Sequence, residues 1–262
     1  MLRTLLTTAA LLTGMLLATL SAQQVQWLKV APNNFSFNPS LPSDVLCAHD
    51  PDHVYVASLD SAAYLYGSDI LGGNTLSRLD AAGNMVWSTS LGDSAKVESI
   101  TGDADGTVVL GGRYWRQLVV DGQVVLNAPA GHADMSTFVC SWNADGQLLW
   151  QRDVSGGVFD NVSVESMTYD PQGRLWVALC TFFDAEVDRY DADGQMVESR
   201  PMAQMKTVGS ISFDPSGGMY ISGSASSPAV SINGTPYPVT EPYNLLVARM
   251  NATGEAQWLR LA

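Results

Sequence analysis

Side chains that could carry out catalysis are few in this chain. Histidine occurs three times, at His49, His53 and His132, and no glutamate or cysteine completes a metal-ligand spacing around them. Serine is abundant, but no Gly-x-Ser-x-Gly nucleophile elbow is present. We therefore predict surface turn positions for the histidines, and no catalytic residues, metal site or cofactor for the chain.

Two acidic phrases resemble the beginning of a calcium loop. Residues 103–106 and 191–194 both read D-A-D-G. A calcium loop of the EF-hand type needs a glutamate at its twelfth position, where this chain has Tyr114 and Met202. Aspartate and glycine are also favoured in tight turns, because the carboxylate caps its own turn and glycine accepts a positive φ. We interpret both phrases as hairpin turns.

Two further sets of side chains could bind a ligand. Three arginines stand two residues before a recurrent Asx-x-x-Gly turn and could form an arc of guanidinium groups for an anion: Arg78, Arg189 and Arg249. The favoured alternative is that each stem covers apolar surface and each head pairs with a neighbouring acid. Aromatic residues in or beside inserted loops could anchor a glycan or a protein: Tyr114, Trp115, Phe182, Phe183 and Tyr237. Packing of each insert onto its own repeat is the favoured alternative for these residues.

The element that must position these residues is a repeat. N-A-D-G-Q-L-L-W at 143–150 recurs as D-A-A-G-N-M-V-W ending at Trp87, N-A-T-G-E-A-Q-W ending at Trp258 and D-A-D-G-Q-M-V-E ending at Glu198. Each phrase predicts a hairpin, with glycine in the turn and an apolar return strand. Measured at the tryptophan position from Trp27 onward, the spacing is 60, 63, 48 and 60 residues.

A second phrase between these predicts another hairpin in each repeat. An apolar residue stands three positions before Asp50, Asp103, Asp170 and Asp214, in strands of period two, and a β-branched or aromatic run follows each turn. Two hairpins make a four-stranded unit, with strands labelled a to d. We predict an all-β fold, a β-propeller of four recognisable four-stranded blades of about 48–63 residues. The approximate blade boundaries are 32–91, 92–154, 155–201 and 202–262.

The composite order of strand, Asp-x-x-Gly turn, insert and tryptophan-ended hairpin resembles the bacterial β-propeller repeat called SBBP, which occurs in secreted and cell-surface proteins. The resemblance covers residues 24–262. Departures are Glu198 in place of tryptophan and His53 in place of glycine. The resemblance implies a propeller fold and an exported location, and it implies no shared catalytic residues.

Residues 1–22 have the layout of a secretory signal peptide. Arg3 precedes a 16-residue apolar stretch from Leu5 to Leu20, and the small residue Ala22 follows. An uncleaved N-terminal anchor is the alternative. We predict a secreted or cell-surface chain without a membrane span after cleavage. Three cysteines give no disulfide framework and are expected to be buried, and 26 acids against 13 bases argue against a nucleic-acid partner.

The two ends of the expected mature chain are similar. Q-V-Q-W-L-K-V-A at 24–31 matches E-A-Q-W-L-R-L-A at 255–262, and both are predicted d strands. Since the last blade already has its own d strand, the predicted strand at 24–31 is not needed to complete that blade. We interpret the chain as an N-terminal part of a longer propeller or an unclosed arc. A four-blade ring with a surplus strand is the alternative.

These observations favour an exported, non-catalytic scaffold or binding module for a protein or a glycan partner. The alternative hypothesis is the N-terminal part of a larger propeller enzyme, quinoprotein-like or glycan-active, whose active site lies outside this chain. Fold alone does not separate the two, because propellers serve both binding and catalysis.

Overall fold

The computed structural model describes residues 44–50, 53–58, 64–66, 69–71, 74–129, 135–155, 162–226, 228–240 and 244–261, and all regular structure within them is β. The strands are β1 (Asp44–Asp50), β2 (His53–Ser58), β3 (Tyr64–Tyr66), β4 (Asp69–Leu71), β5 (Thr75–Leu79), β6 (Met85–Ser90), β7 (Ala95–Gly102), β8 (Val108–Trp115), β9 (Gln117–Val120), β10 (Gln123–Asn127), β11 (Met135–Trp142), β12 (Leu148–Asp153), β13 (Ser163–Tyr169), β14 (Leu175–Cys180), β15 (Ala185–Tyr190), β16 (Met196–Ala203), β17 (Met205–Phe213), β18 (Met219–Ala225), β19 (Ala229–Ile232), β20 (Thr235–Pro238), β21 (Asn244–Met250) and β22 (Ala256–Leu261). The predicted signal peptide and the predicted d strand at 24–31 lie outside the described residues.

The strands form successive antiparallel units with the same order. Blade I is β1-β2-β5-β6, blade II is β7-β8-β11-β12, blade III is β13-β14-β15-β16 and blade IV is β17-β18-β21-β22, and each unit runs from strand a to strand d. The short hairpins β3-β4, β9-β10 and β19-β20 are inserted between strands b and c of blades I, II and IV. Strand d is outermost and partly exposed, as the burial pattern of β16 illustrates.

The turn between strands c and d, here called the c–d turn, has the same backbone in each of these blades. Its glycine has a positive φ of +74° at Gly83, +82° at Gly146, +72° at Gly194 and +84° at Gly254. The amide of this glycine donates to the carbonyl of the first turn residue. The strand register shifts by one residue beside each of these turns. This is the geometry of a turn that ends in a left-handed residue, which glycine adopts at no steric cost.

The hydrophobic core lies between blades. One buried cluster joins blades I and II and contains Leu76, Leu110 and Trp142. A second joins blades II and III, and a third joins blades III and IV. Both faces of blades II and III are therefore buried against their neighbours, which is why the internal strand β14 is buried at every position.

The innermost strands of consecutive blades lie side by side: β1 contacts β7, β7 contacts β13 and β13 contacts β17. Four-stranded antiparallel sheets that stack face to face around their first strands define a β-propeller arrangement. The fold is therefore all-β and of the propeller type. Within the described ranges, no helix is long and apolar enough to cross a membrane.

The inserts of blades II and IV reach the preceding blade. Hairpin β19-β20 of blade IV extends the sheet of blade III, where Met202 pairs with Ile232 and Ala203 with Ser231. In blade II, the amide of Asp121 donates to the Ser90 carbonyl of blade I at 2.9 Å. The expectation that an insert packs onto its own blade is therefore wrong for β19-β20. The outer edge of strand d offers unpaired backbone groups that a short hairpin can satisfy.

Candidate functional site

The repeated tryptophan of strand d lies between blades. Trp87 of blade I packs over Gly146 in the c–d turn of blade II, and Trp150 of blade II packs over Gly194 in blade III. A Cβ atom added at Gly194 would lie 2.4 Å from Cδ2 of Trp150. Nε1 of Trp87 also donates a hydrogen bond to the Ala144 carbonyl at 2.8 Å. Strand d and the next c–d turn therefore join successive blades.

Blade III has Glu198 at the tryptophan position and uses other side chains for the same contact. Arg200 is only 3% exposed, covers Gly254 of blade IV and donates to the Ala252 carbonyl at 2.8 Å. Its guanidinium carbon lies 4.4 Å from the ring centroid of Trp176 in strand b. A cation over an aromatic face is attracted by the ring quadrupole. The tryptophan of strand b thus supplies the aromatic surface that strand d lacks.

Glu198 is held between two guanidinium groups. Oε1 lies 2.8 Å from Nη2 of Arg200, and Oε2 accepts from Nε of Arg189 at 2.9 Å. Burial opposes the ionisation of Glu198, but these hydrogen bonds outweigh burial and hold its pKa below the ordinary value. Glu198 is therefore ionised at neutral pH and holds Arg200, which makes the contact to blade IV.

The three arginines of the candidate arc are engaged in separate contacts. Arg78 donates to a carbonyl in the c–d turn of blade II at 2.8 Å. Arg189 binds Glu198, and Arg249 pairs with Asp214 at 2.8 Å. The structure thus places each guanidinium against protein groups of its own or the next blade.

The predicted aromatic contacts divide into buried and exposed residues. Tyr114 is fully buried and donates from its hydroxyl to Oδ2 of Asp153 at 2.5 Å. Burial, reinforced by Asp153, raises the pKa of Tyr114 well above its ordinary value. Tyr237 is half-buried against the core between blades III and IV. Trp115 is 45% exposed at the end of β8. Tyr114 therefore belongs to the interior, where a ligand does not reach it.

Phe182 and Phe183 form the exposed tip of the b–c hairpin of blade III. The amide of Thr181 donates to the Asp184 carbonyl at 2.8 Å, and the Asp184 amide donates to Oγ1 of Thr181 at 3.0 Å. This two-residue turn leaves the rings 76% and 59% exposed, with their centroids 4.9 Å apart. Blade III has no insert between these strands, so the two rings stand where the inserted hairpins of blades II and IV begin.

Phe182 stands at the edge of a depression of about 570 Å³, here called the Phe182 depression. Its wall consists of the first residues of strand a in blades II, III and IV and the last residues of strand b in blades II and III. Lys206 of blade IV closes one side, with its ammonium 6.0 Å from the Phe182 ring centroid. Three blades therefore meet at one end of the sheets around an exposed aromatic ring.

Glu98 organises the polar floor of the Phe182 depression. Its Oε1 accepts from Nε of Arg113 at 2.6 Å and lies 3.9 Å from the ammonium of Lys96. Its Oε2 accepts from the backbone amide of Val164 in blade III at 3.1 Å. These contacts fix the carboxylate and both cations at the junction of two blades, so a ligand meets donors and acceptors that are already positioned.

The depression offers binding groups rather than a nucleophile. Burial raises the pKa of the Cys180 thiol to about 12, with Glu165 adding to the rise, so the thiol stays protonated. The Ser163 hydroxyl donates to Oε1 of Glu165 at 2.7 Å. No histidine lines the depression, and the described part of the chain holds no group of three metal-ligating side chains. An aromatic ring, carboxylates and ammonium groups can bind a polar ligand in this arrangement.

A second depression of about 440 Å³ lies at the opposite end of blades II and III and includes Arg189. Near it, between the two blades, Asp188 is buried in strand c. Burial raises the pKa of Asp188 to about 6, and Glu186 adds to this rise. A hydrogen bond from Ser199 acts in the opposite direction but does not offset burial, and Oδ1 of Asp188 has no hydrogen-bond partner among the described residues.

Phe182 could be identified from the sequence, but the charged residues around it could not. Glu98 and Glu165 occupy the same place in the recurrent phrase V-E-S, one residue after the first valine of strand a. That repetition is the available signal for an acidic group in consecutive blades. Lys96 and Lys206 stand near the beginning of strand a in blades II and IV, where only the packing of blades shows that they share a surface.

Comparisons with known proteins find solved structures of low sequence identity and low structural similarity. No family model matches the chain, and no curated protein matches it. A protein of unknown function from Bacteroides caccae is 12% identical, with a TM-score of 0.40 over 73% of this chain and 70% of that one. The Dos1 propeller is 10% identical, with a TM-score of 0.41 over 86% of this chain and 64% of that one. A streptogramin B lyase is 13% identical, with a TM-score of 0.38 over 84% of each chain. This chain spans less than two thirds of the Dos1 propeller chain.

Proposed function

We propose that this chain is an exported, non-catalytic propeller module that binds a glycan through the Phe182 depression. The observation that carries the proposal is the pair of exposed rings, Phe182 and Phe183, beside charged groups that are already held in place. Adjacent exposed apolar side chains rimmed by polar residues are typical of contact surfaces on folded proteins.

Glycan recognition fits the chemistry of these groups. The apolar face of a sugar ring packs on an aromatic side chain, and sugar hydroxyls both donate and accept hydrogen bonds. Glu98 and Glu165 supply acceptors, while Lys96 and Lys206 supply donors. Both kinds of group line the same depression as Phe182, which suits a ligand with many hydroxyl groups.

The absence of catalysis is part of the same proposal. The titratable thiol in the depression, Cys180, is protonated, and the Ser163 hydroxyl is bonded to a carboxylate rather than to an imidazole. Nucleophilic catalysis needs a base within hydrogen-bond reach of the nucleophile and a third group that orients the base. The lining residues of the Phe182 depression do not provide that set.

Export and repeat type complete the proposal. The signal-peptide pattern of residues 1–22 supports a secreted or cell-surface location, and the glycine and tryptophan spacing supports kinship with SBBP-type repeats. A glycan ligand agrees with either location.

A glycan array with the mature chain tests the proposed ligand class. We expect binding to a restricted set of glycans. Phe182→Ala is expected to weaken the Kd for the best glycan about five- to twelvefold, because an aromatic contact contributes about 1–1.5 kcal/mol. Isothermal titration calorimetry measures this change. Trp115→Ala is the matched control, since Trp115 is an exposed aromatic residue outside the Phe182 depression.

Two outcomes contradict the proposal. One is an array without specific binding while the chain is folded. The other is unchanged affinity in Phe182→Ala together with a loss in Trp115→Ala, which places the glycan elsewhere.

A further inference from the structure

The second depression, between blades II and III, lies where one blade departs from the others. In strand c, the residue that pairs with the repeated tryptophan position of strand d is an arginine in three blades: Arg78, Arg189 and Arg249. Blade II has Ser141 there, paired with Trp150. Ser141 lines this depression of about 440 Å³, here called the Ser141 depression, together with Asp103, Asp191 and Ala192. A short side chain therefore stands where the other blades have a long cation.

Ser141 is buried without a hydrogen-bond partner. The residue is 1% exposed, and its Oγ bonds to none of the described groups. A buried hydroxyl of this kind has lost its hydrogen bonds to water and gained none in return, which costs free energy. Its position at the wall of a depression favours a polar ligand that supplies the missing partner.

The backbone carbonyl of Ala192, in the c–d turn of blade III, is a second unused acceptor of the Ser141 depression. A guanidinium bonds the corresponding carbonyl at the two other described junctions between blades: Arg78 to Ala144 and Arg200 to Ala252, each at 2.8 Å. Arg152 of blade II donates to the next two carbonyls of the turn, and no described donor reaches Ala192. The place of one guanidinium is therefore open at this junction.

The charge without a partner in the Ser141 depression is negative. In Asp103 and in Asp191, Oδ1 accepts two amides of its own turn at 2.8 and 3.0 Å, and Oδ2 has no donor among the described residues. The two cations of the lining are each paired with a carboxylate: Arg174 with Asp170 and Arg189 with Glu198. Two acceptors flanked by such carboxylates favour a cationic donor.

The chain itself shows which orientation fits. In blade IV, Arg249 pairs with Asp214, and a Cβ atom added at Gly218 would lie 2.7 Å from Nη2 of Arg249. Blade II has Thr107 at that position, four residues after Asp103, so its Cβ blocks the same pose. The pose of Arg78, directed at the next blade, is the one that blade II leaves available.

We propose that the Ser141 depression binds a guanidinium group, of free arginine or of an arginine side chain in a peptide. The guanidinium donates to the Ala192 carbonyl and to Oγ of Ser141, and Asp103 and Asp191 neutralise its charge. A planar group with five N–H donors suits several acceptors around one pocket. This site is separate from the Phe182 depression and does not depend on glycan binding.

NMR titration of the isotope-labelled mature chain with N-acetyl-L-arginine amide tests the ligand class. We expect saturable shifts confined to the amides of residues 103–107 and 190–192. The citrulline analogue, which has nearly the same shape without the charge, is expected to bind about tenfold more weakly, since hydrogen bonds from a charged donor are stronger. Free L-arginine separates the two sources. Equal binding assigns the site to the free amino acid, and weaker binding assigns it to an arginine within a peptide.

Ser141→Arg supplies the missing guanidinium from the chain. The new side chain is expected to reach the Ala192 carbonyl as Arg78 reaches its own partner. The variant should therefore keep the urea midpoint of the parent protein and lose binding of N-acetyl-L-arginine amide. A long cation placed at a buried position without a matching acceptor is instead strongly destabilising.

Asp103→Asn is the milder variant if Ser141→Arg does not fold. Asparagine keeps the turn, as Asn143 does in the c–d turn of the same blade, and removes only the charge. We expect the Kd to weaken about three- to fivefold, the range of a partly exposed ion pair. Asp145→Asn is the matched control, since Asp145 is an exposed carboxylate outside the depression, and it is expected to leave the Kd unchanged.

Four results overturn the proposal. The folded chain shows no saturable shift with N-acetyl-L-arginine amide, or it binds the citrulline analogue equally well. Asp145→Asn weakens binding as much as Asp103→Asn, which places the cation elsewhere. N-acetyl-L-glutamate amide shifts the same amides in place of the arginine derivative, which makes the depression an anion site of Arg174 and Arg189.

Discussion

Gly194→Ala is expected to destabilise the protein by about 3 kcal/mol, since a forced clash in a packed interface costs about 1–3 kcal/mol and a left-handed alanine about 1 kcal/mol more. The added Cβ would lie 2.4 Å from Cδ2 of Trp150, and the backbone has φ +72°. Trp150 is buried between blades II and III, so its ring cannot move without opening that core. Urea unfolding followed by circular dichroism measures the loss as a lower midpoint.

Gly173→Ala is the matched control for this prediction. Gly173 lies in the a–b turn of the same blade with φ +71°, and a methyl group added there would have no atom within 4 Å. Its replacement therefore carries the backbone cost alone, about 1 kcal/mol. Equal losses at Gly173 and Gly194 would show that the tryptophan does not press on the turn.

Arg200→Met is expected to destabilise the protein by about 2–3 kcal/mol, because the Ala252 carbonyl loses its donor, Trp176 loses the cation over its ring, and Glu198 keeps only its contact with Arg189. Methionine keeps an apolar stem near Trp176 but loses the contacts to Glu198 and to the Ala252 carbonyl. The loss should become smaller as the pH falls through the lowered pKa of Glu198, because protonation removes the charge with which Arg200 pairs. Urea unfolding of both proteins at pH 7 and at a series of lower pH values measures both effects.

Arg189→Met provides the comparison for Arg200. Arg189 binds the same carboxylate, but its side chain is more exposed and it does not bond the turn of blade IV. We expect a loss of about 1 kcal/mol, the range of a partly exposed ion pair. If Arg189→Met costs as much as Arg200→Met, the contact to the c–d turn is not what joins blades III and IV.

The hairpins and their turns could be predicted from the sequence because they depend on residues that are close together in the chain. Aspartate or asparagine three residues before glycine produces a turn within five residues, and the structure has that turn at Gly83, Gly146, Gly194 and Gly254. The repeated tryptophan packs between blades at Trp87 and Trp150.

Contacts between blades could not be predicted in the same way. Arg200 and the Ala252 carbonyl are 52 residues apart, and Trp176 replaces the missing tryptophan from a different strand of blade III. Nothing in the local pattern around Glu198 points to that strand. The placement of β19-β20 on blade III could not be predicted for the same reason, since its pairing partner lies in the preceding repeat.

The candidate site illustrates the same division. Phe182 and Phe183 can be recognised as aromatic residues of a short b–c connection, which is a local property. Lys96, Glu98 and Lys206 come from two other blades, and only the packing of strand a against strand a brings them beside Phe182. A repeat shows which residues are equivalent, but it does not show which equivalents face a common surface.

Hydrogen–deuterium exchange with and without the best array glycan tests the central claim, that the ligand binds at the Phe182 depression, most directly. We expect slower exchange on binding in two peptides, residues 94–98 and residues 180–184, which contribute Glu98 and Phe182. The c–d turns are expected to exchange at the same rate in both states. Protection confined to the c–d turns or to the inserted hairpins, with residues 180–184 unchanged, would contradict the claim.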